Sequence, residues 1–506
     1  MPIHNADVAE SFNKVADLLE ISGANPFRVG AYRDAARTIG GLSKSVAELI
    51  AEGKKMTDFY GIGKDLAEKI KEIVKTGKLS LLERLEIERR SWGKPRTKLI
   101  EAEAVAQAYV EYLKKDQTLK DITIAGSYRR GRETVGDLDI LVTVKRGSDI
   151  MQRFVDYEDV DQVVSRGKTR SSVVLRTGLQ VDLRVVPQVA YGAALHYFTG
   201  SKAHNIAVRR MGQKKGLKIN EYGVFKNDQR RAGKTEKEVF KQVDLPYIAP
   251  ELRGDRGEIQ TALKEQLPDL IELSDIRGDL HVHTKETDGR DTLQDIVRVA
   301  QKKGYAYLAI SNHSQNVAVA QGLDRKRLVK QIEKIERLRA NMNGFVILKS
   351  IEVDILKDGS LDLPDDILKE LDVVVGAVHS DFKLSRQKQT ERILRAMDNP
   401  YFNILAHPSG RLINERDLER LKAAARERGC YMELNAHPDR LDLNEVFCKM
   451  AKEMDVKIAI STDAHSTENM DHMRLGILQA RRGWLEADDV LNTRSWKDLE
   501  KLLERN

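Results

Sequence analysis

The chain has 506 residues, 41% of them hydrophobic and 32% charged, with a formal net charge of +7. That length exceeds one ordinary core, so several domains are expected; no apolar run is long enough to span a bilayer, and the N-terminus has no signal-peptide pattern. With only Cys430 and Cys448 present, no disulfide framework is expected, and a reducing cytoplasm is the default compartment. The charge is uneven. Residues 1–250 carry 44 Lys and Arg against 33 Asp and Glu, whereas residues 251–506 carry 41 against 45. The first half could attract a polyanion, although solvated helix faces would give the same excess. Histidine is skewed the other way, with eight of 11 at or after His281. Two chemistries on one chain are therefore expected.

In chain order, residues 1–90 read as helices. "NADVAESFNKVADLLEIS" places Val8, Phe12, Val15 and Leu18 near helical spacing. "GIGKDLAEKI" offers a turn at Gly61 and Gly63 that leads into a helix. Such a turn can present N–H groups to a phosphate, with Lys64 beside them, but a lone Gly-x-Gly is more often a simple turn. From about residue 120 to 190 the pattern becomes strand-like: "ITIAG", "DLDILVTV", "SVVLR" and "QVDLRVV" are β-branched and alternating. Residues 191–250 are mixed and basic, and 251–276 read as a linker. From residue 277, seven short apolar strands alternate with helical segments: "GDLHVHT", "YAYLAISNH", "VILKSIEVD", "VVVGAVHS", "FNILAHP", "YMELNAH" and "KIAISTDAH". That alternation predicts a parallel α/β barrel or sheet.

Asp137 and Asp139 share one face of a predicted strand, while Leu138 and Ile140 point to the core. Lone carboxylates on such a strand are costly to bury, but two together can clamp hard divalent cations. Phosphoryl transfer uses paired ions to hold the attacking and leaving oxygens. Asp182, in "QVDLRVV", is a possible third carboxylate, with Arg184 on its face. The preceding "GSYRRG" suits a phosphate cradle: Gly126 and Gly131 admit close backbone approach, and Ser127 and Arg130 can donate hydrogen bonds.

In the second half, ligand-type residues fall at strand ends. They are His281, His283, Asp288, His313, Glu352, His379, His407, Asp463 and His465. Strand C-termini of an α/β barrel gather at one mouth. Nine His, Asp and Glu side chains arriving there can hold two or three Zn²⁺ or Mn²⁺ ions, with Glu352 bridging. Ions so held can activate water against a phosphoester. His437 and His472 lie outside the pattern.

"GSYRRG…GDLDILV", "VDLRVV", "YFTGSKAHN" and "LKINEYGVF" resemble the nucleotidyltransferase core of family X DNA polymerases. The series "HVHTKETDG…NH…E…H…H…DAH" resembles the PHP (polymerase and histidinol phosphatase) domain. Together they resemble a bacterial family X polymerase with a C-terminal PHP nuclease. The resemblance implies a multi-domain α/β and α+β chain. Its parts would be a helical helix–hairpin–helix domain (1–90), a palm (91–190), a thumb-like region (191–250), a linker (251–276) and a distorted (β/α)₇ PHP barrel (277–506). It implies a metal triad of Asp137, Asp139 and Asp182 for Mg²⁺ or Mn²⁺, and Ser127, Arg130 and Gly136 around a triphosphate. It implies Tyr197, Phe198 and Gly200 along the sugar, Asn205 at the base and Arg209 on the template side. "YFTG" alone would be an ordinary aromatic pair before a turn. Gly61, Gly63 and Lys64 would grip DNA. Lys69 stands at the position where relatives form a Schiff base with an abasic sugar. Lys64 and Lys71 nearby could lower its pKa, but Asp65 and Arg28 replace further lysines, so a plain helix lysine is preferred. The implied partners are deoxynucleoside triphosphates and gapped or nicked primer–template DNA, with no membrane and a monomeric state. In one respect the chain departs from the family. "LLERLEIERRSWGKPRTKLIEAEAVAQAYVEYL" has no second Gly-x-Gly hairpin, where relatives usually carry another helix–hairpin–helix. Two rival readings stay open: a nuclease whose first half only binds DNA, and a nucleotidyltransferase acting on something other than DNA.

Overall fold

The computed structural model describes residues 5–21, 26–40, 42, 44–59, 61–82, 96–408 and 415–504. The chain divides into two compact units, Met1–Arg96 and Thr97–Asn506. Among the described residues, no helix is long and apolar enough to cross a membrane.

The first unit is helical. Its helices include Asn5–Ile21, Pro26–Gly40, Val46–Ala51 and Lys64–Thr76. The helical spacing of Val8, Phe12, Val15 and Leu19 buries one stripe against Tyr32 and Ile39, and the Phe12 and Tyr32 rings meet edge-on at 5.5 Å. Ser45 and Glu48 form a capping box that starts the third of these helices. Gly61 takes φ +75, and Gly63 is the N-cap of Lys64–Thr76. That last helix buries Leu66, Ala67, Ile70 and Ile73 and ends at Gly77 in the left-handed region. The expected hairpin is therefore a turn onto a helix N-terminus. Of the segment 81–113, which has no second Gly-x-Gly hairpin, residues 83–95 lie outside those described, and the described part includes the helix Leu99–Lys114.

The second unit opens with a five-stranded sheet in the order Leu119–Ile124, Asp137–Val144, Gln180–Val185, Arg170–Leu175, Val160–Arg166. Asp137–Val144 runs parallel to Gln180–Val185, and the other pairings are antiparallel. The alternation works as read. Leu138, Ile140 and Val142 are buried in one cluster with Tyr109, Phe154, Val181 and Leu183, under the helices Leu99–Lys114 and Ile150–Val155. Leu141 packs on the opposite face with Ala125 and Ala194. The edge strand Val160–Arg166 is almost wholly exposed, so it offers no burial pattern to read in the sequence.

Helix Lys202–Lys214 follows, then the antiparallel sheet formed by Lys218–Asn220, Gly223–Lys226 and Gln229–Ala232. The stretch read as a linker is packed rather than loose over much of its length. Leu252, Ile259, Ala262 and Leu270 join Val208, Phe240 and Trp484 in one cluster. Arg253 and Glu258 are fully buried.

The last part is a barrel of seven parallel strands in sequential order: Gly278–Val282, Tyr307–Ile310, Val346–Asp354, Val373–Ala377, Ile404–Leu405, Tyr431–Asn435 and Ile458–Ser461. They coincide with the seven apolar segments of the sequence. A parallel bridge between Val282 and Ala464 joins the two ends, reinforced by His283 N–H donating to Ala464 O at 2.8 Å.

Candidate active sites

The first site lies on the sheet. The register sets Asp139 directly opposite Asp182, and Asp137 opposite Gln180. Paired strands lie about 4.8 Å apart, so three carboxylates share one small area of one face. Asp139 is pushed up to about 6, because it is desolvated and faces the charges of Asp137 and Asp182. Asp182 behaves oppositely. Burial alone would raise it, but hydrogen bonds from Ser172 and Gln180 and the charges of Arg170 and Arg184 hold it below the usual carboxylate range. Its Oδ1 accepts from Gln180 Nε2 at 2.9 Å, and its Oδ2 from Arg170 at 3.3 Å. A divalent cation relieves the repulsion that lifts Asp139, so the donor set fits one.

The backbone around this face is cramped. Gly126 takes φ +65, and a Cβ there would lie 2.9 Å from Asp139 Oδ2, so glycine is required. The turn it opens carries half-buried Ser127 and Arg130. Arg130 donates to Thr199 O, and a Cβ on Gly200 would come 3.0 Å from its Nη1. Arg130 is thereby brought to the Tyr197–Gly200 segment. Asn205 donates to Tyr197 O at 2.7 Å. Tyr197 and Phe198 meet edge-on at 5.1 Å, and the Arg184 guanidinium lies 4.2 Å from the Phe198 ring centre. Gly136 immediately precedes Asp137, and Arg209 sits one helical turn beyond Asn205.

Behind this face is a buried network that sequence reading missed. Glu236 receives both nitrogens of Arg129, at 3.0 and 2.7 Å, and Arg253 at 2.6 Å. Glu258 pairs with His204 at 2.8 Å. These bonds tie the "GSYRRG" turn and helix Lys202–Lys214 to the segment read as a linker. Arg129 beside Arg130 was the available signal, but its partner lies 107 residues away.

The second site is the barrel mouth, where all nine expected ligand residues gather. Glu352 is the centre. Its Oε2 lies 3.4 Å from His281 Nε2, 3.6 Å from His283 Nε2 and 2.8 Å from His313 Nδ1. Its Oε1 lies 3.3 Å from His379 Nε2 and 3.0 Å from His407 Nε2. Asp288 approaches His313 at 3.1 Å, His465 at 3.2 Å and His283 at 3.6 Å. Asp463 Oδ1 lies 3.1 Å from His283 Nε2 and 3.7 Å from His281 Nε2. Three overlapping clusters have metal-ligand spacing: His283, Asp288, His313 and His465; His281, His283 and Glu352; His313, Glu352 and His379.

Two observations test the fit to cations. Ligand atoms bound at about 2.0–2.1 Å around a tetrahedral Zn²⁺ lie about 3.3 Å from one another, which is the scale of the spacings here. Moreover, His283 Nδ1, His313 Nδ1, Glu352 Oε2, both ring nitrogens of His379 and Asp463 Oδ1 are buried at ion-pair distance from one another yet make no hydrogen bond of good geometry among the described residues. Buried polar atoms without a directed hydrogen bond suit a shared ion. The charge pattern agrees. Burial alone would lower His313, but Glu352 and Asp288 push it up to about 10. Glu352 and Asp463 are held well below the carboxylate range against their burial, chiefly by His313 and His281 respectively. The neighbouring imidazoles thus supply the positive charge that these carboxylates call for.

Sequence reading missed the supports of this site. Glu433 is fully buried, accepts from His281 Nδ1 at 2.7 Å and from the His407 N–H at 2.9 Å, and so turns His281 Nε2 toward the mouth. Arg440 bonds Asp463 Oδ2 at 2.6 Å. Asp354 receives the His379 N–H at 2.8 Å. A carboxylate inside the apolar "YMELNAH" was the available signal for Glu433. His437 and His472 meet edge-on at 5.5 Å and join none of the three clusters.

Comparison with known proteins follows the same division. The profile described as "Helix-hairpin-helix domain" matches residues 3–79, "DNA polymerase beta palm" 94–195 and "DNA polymerase beta thumb" 194–254. The "DNA polymerase/3′-5′ exonuclease PolX" of Bacillus subtilis (strain 168) is 34% identical, and the match covers 100% of both chains. The chain belongs to the family X DNA polymerases. A "Probable phosphatase" of Thermoanaerobacter sp. (strain X514) is 34% identical over 45% of this chain and 94% of its own length. DNA polymerase lambda of Arabidopsis thaliana is 25% identical over 50% of this chain and 63% of its own. A polymerase site and a PHP-type site both call for divalent metals, and the residues present suit them. The helix–hairpin–helix and palm matches leave only residues 80–93 between them. The Bacillus alignment spans 575 positions against 506 residues here, so at least 69 of its positions have no counterpart in this chain.

Proposed function

We propose that the two sites divide the work of a DNA-repair enzyme: the sheet site adds deoxynucleotides to a primer 3′-hydroxyl, and the barrel trims 3′ ends as a 3′→5′ exonuclease or 3′-phosphoesterase. The observation that carries this is the parallel register that sets Asp139 against Asp182, two residue pairs from Asp137 on the same face. Asp137, Asp139 and Asp182 would hold Mg²⁺ or Mn²⁺, which supplies charge neutralisation for phosphoryl transfer. Asp182 would orient the attacking hydroxyl. Ser127, Arg130 and Gly136 would hold the triphosphate, Tyr197, Phe198 and Gly200 the sugar, Asn205 the base, and Arg209 the template. In the barrel, the nine residues around Glu352 would hold two or three Zn²⁺ or Mn²⁺ ions. Gly61, Gly63 and Lys64 would hold a DNA phosphate. The domains would fall near 1–90, 91–190, 191–250 and 277–506, and the protein would act as a cytoplasmic monomer. Primer extension with and without template, alongside 3′-end hydrolysis, tests the division. Addition that ignores the template would replace this reading with that of a non-templated nucleotidyltransferase.

A second reading, a nuclease whose first half mainly binds DNA, is favoured by the 80–93 interval, which leaves no room for a second helix–hairpin–helix. The grip on backbone phosphates must then come from the hairpin at 61–63 and the basic stretch 202–241. For every phosphate that the protein does not neutralise, the slope of log K against log salt becomes shallower by about 0.9. Synthesis is expected to be weak and distributive at moderate salt. Grafting a relative's second hairpin between Glu88 and Lys94 should raise primer–template affinity and steepen that slope. Tight, processive gap filling by the natural chain at physiological salt would show that another element supplies the grip.

Lys69 is expected to give at best weak lyase activity. Its side chain is only 17% exposed and pairs with Asp65 one turn earlier, so the amine is engaged rather than free to attack. Borohydride trapping on a 5′-deoxyribose-phosphate end checks this: a strong adduct that disappears in Lys69→Ala contradicts it.

A further inference from the structure

The helix Met473–Arg482 begins eight residues after His465 and belongs in sequence to the barrel. Its outer face packs against the palm. Leu475 is buried within the palm cluster, and Leu478 packs against the same cluster. Arg474 pairs with Glu103, and Gln479 donates to Glu133 at 2.9 Å. Most telling is Gly131, the last glycine of "GSYRRG". A Cβ there would come 3.2 Å from Leu478 Cδ2 and 3.3 Å from Leu478 Cβ. Gly131 donates to Tyr128 O at 2.9 Å, and the next N–H, of Arg132, donates to Ser127 O at 3.1 Å. The glycine whose missing side chain makes room for Leu478 is therefore part of the hydrogen-bonded turn that carries Ser127 and Arg130. A close-packed leucine against a backbone this near leaves the turn little freedom to shift.

We propose that Leu478, contributed by the barrel, is a positioning residue for the incoming nucleoside triphosphate. It buttresses Gly131 and so fixes the Ser127–Arg130 turn. This rests on the reading of that turn as the triphosphate cradle. Leu478 touches no phosphate. Its contribution is to hold donors in place before the nucleotide arrives, which lowers the cost of ordering them on binding.

The test uses the full-length protein and single-nucleotide insertion. Leu478→Ala should raise KM for the nucleotide roughly tenfold while kcat stays within about twofold, and 3′-end hydrolysis should not change. Leu478→Met, which nearly restores the volume, should recover most of the affinity. Gly131→Ala, which drives a methyl into Leu478, should also raise KM. An unchanged KM in Leu478→Ala overturns the proposal. So does a parallel fall of both activities with the thermal midpoint, which would mark a purely structural role. Arg130→Ala separates this inference from the reading beneath it. If that variant also leaves KM unchanged, the cradle reading itself fails; if it raises KM while Leu478→Ala does not, only the buttress fails.

Discussion

Asp139→Asn is expected to abolish nucleotide addition, leave 3′-end hydrolysis intact and stabilise the metal-free protein at alkaline pH. The loss of activity follows from charge: an amide of the same shape cannot help neutralise the divalent cations that Asp137, Asp139 and Asp182 would hold, and a fall of at least about a thousandfold is expected. The gain in stability follows from linkage. Asp139 titrates near 6 in the folded chain, raised from 3.8 by burial and by its two acidic neighbours. The folded state therefore binds more protons than the unfolded state between those values. Stability is lost as pH rises through that window, by on the order of 2 kcal/mol once Asp139 is fully charged. The substitution removes that cost. In EDTA, the thermal midpoint of Asp139→Asn should exceed that of the natural chain at pH 8 and match it near pH 4, where the natural Asp139 is mostly protonated. Added Mg²⁺ should narrow the gap at pH 8, because only the natural chain gains the cation. Equal midpoints at pH 8 without metal would show that the three carboxylates do not strain one another.

How much of this was legible in the sequence depends on whether a residue's partner is local. Seven short apolar segments, six of them carrying a ligand-type residue in or just after the strand, report the barrel and its mouth, because an apolar run and the strand-end position are local properties. Asp137 and Asp139 are likewise two residues apart, so their convergence is visible without a fold. Glu433 is not. Its carboxylate meets His281 across 152 residues, a relation that exists only once the barrel closes. The edge strand Val160–Arg166 was missed because all but Val160 is exposed. The packing of 251–276 was missed because Pro and Gly punctuation looks the same in a linker and in a buried corner. Helix Met473–Arg482 shows an apolar face in sequence, but a face does not say what covers it; here Leu475 lies in the palm core. The second-hairpin question turned instead on spacing, since the palm match begins at residue 94.

Glu352→Gln should do the reverse of Asp139→Asn, removing 3′-end hydrolysis while template-directed addition persists. Glu352 has five imidazoles within 3.6 Å, three on one carboxylate oxygen and two on the other. That geometry suits a carboxylate that bridges cations, one on each side. An amide offers one oxygen and no charge, so ions on the nitrogen side lose a ligand outright. Metal content, measured by mass spectrometry after dialysis, should fall by at least one ion per chain, with hydrolysis reduced by at least about a hundredfold. Protons give a second readout. Without metal, Glu352 and Asp288 hold His313 up at about 10, and His281 also lies well above its ordinary value through Glu433, Glu352 and Asp463. Cations can take those nitrogens only as the protons leave, so metal affinity should climb from pH 6 to pH 9, by about tenfold per pH unit for each proton displaced. Glu352→Gln removes a carboxylate shared by both histidines. Their protons are then held less tightly, and the climb should be shallower although the affinity is lower throughout. A variant that loses affinity but keeps the natural pH slope would show that Glu352 acts on the ions alone and does not hold the protons they replace.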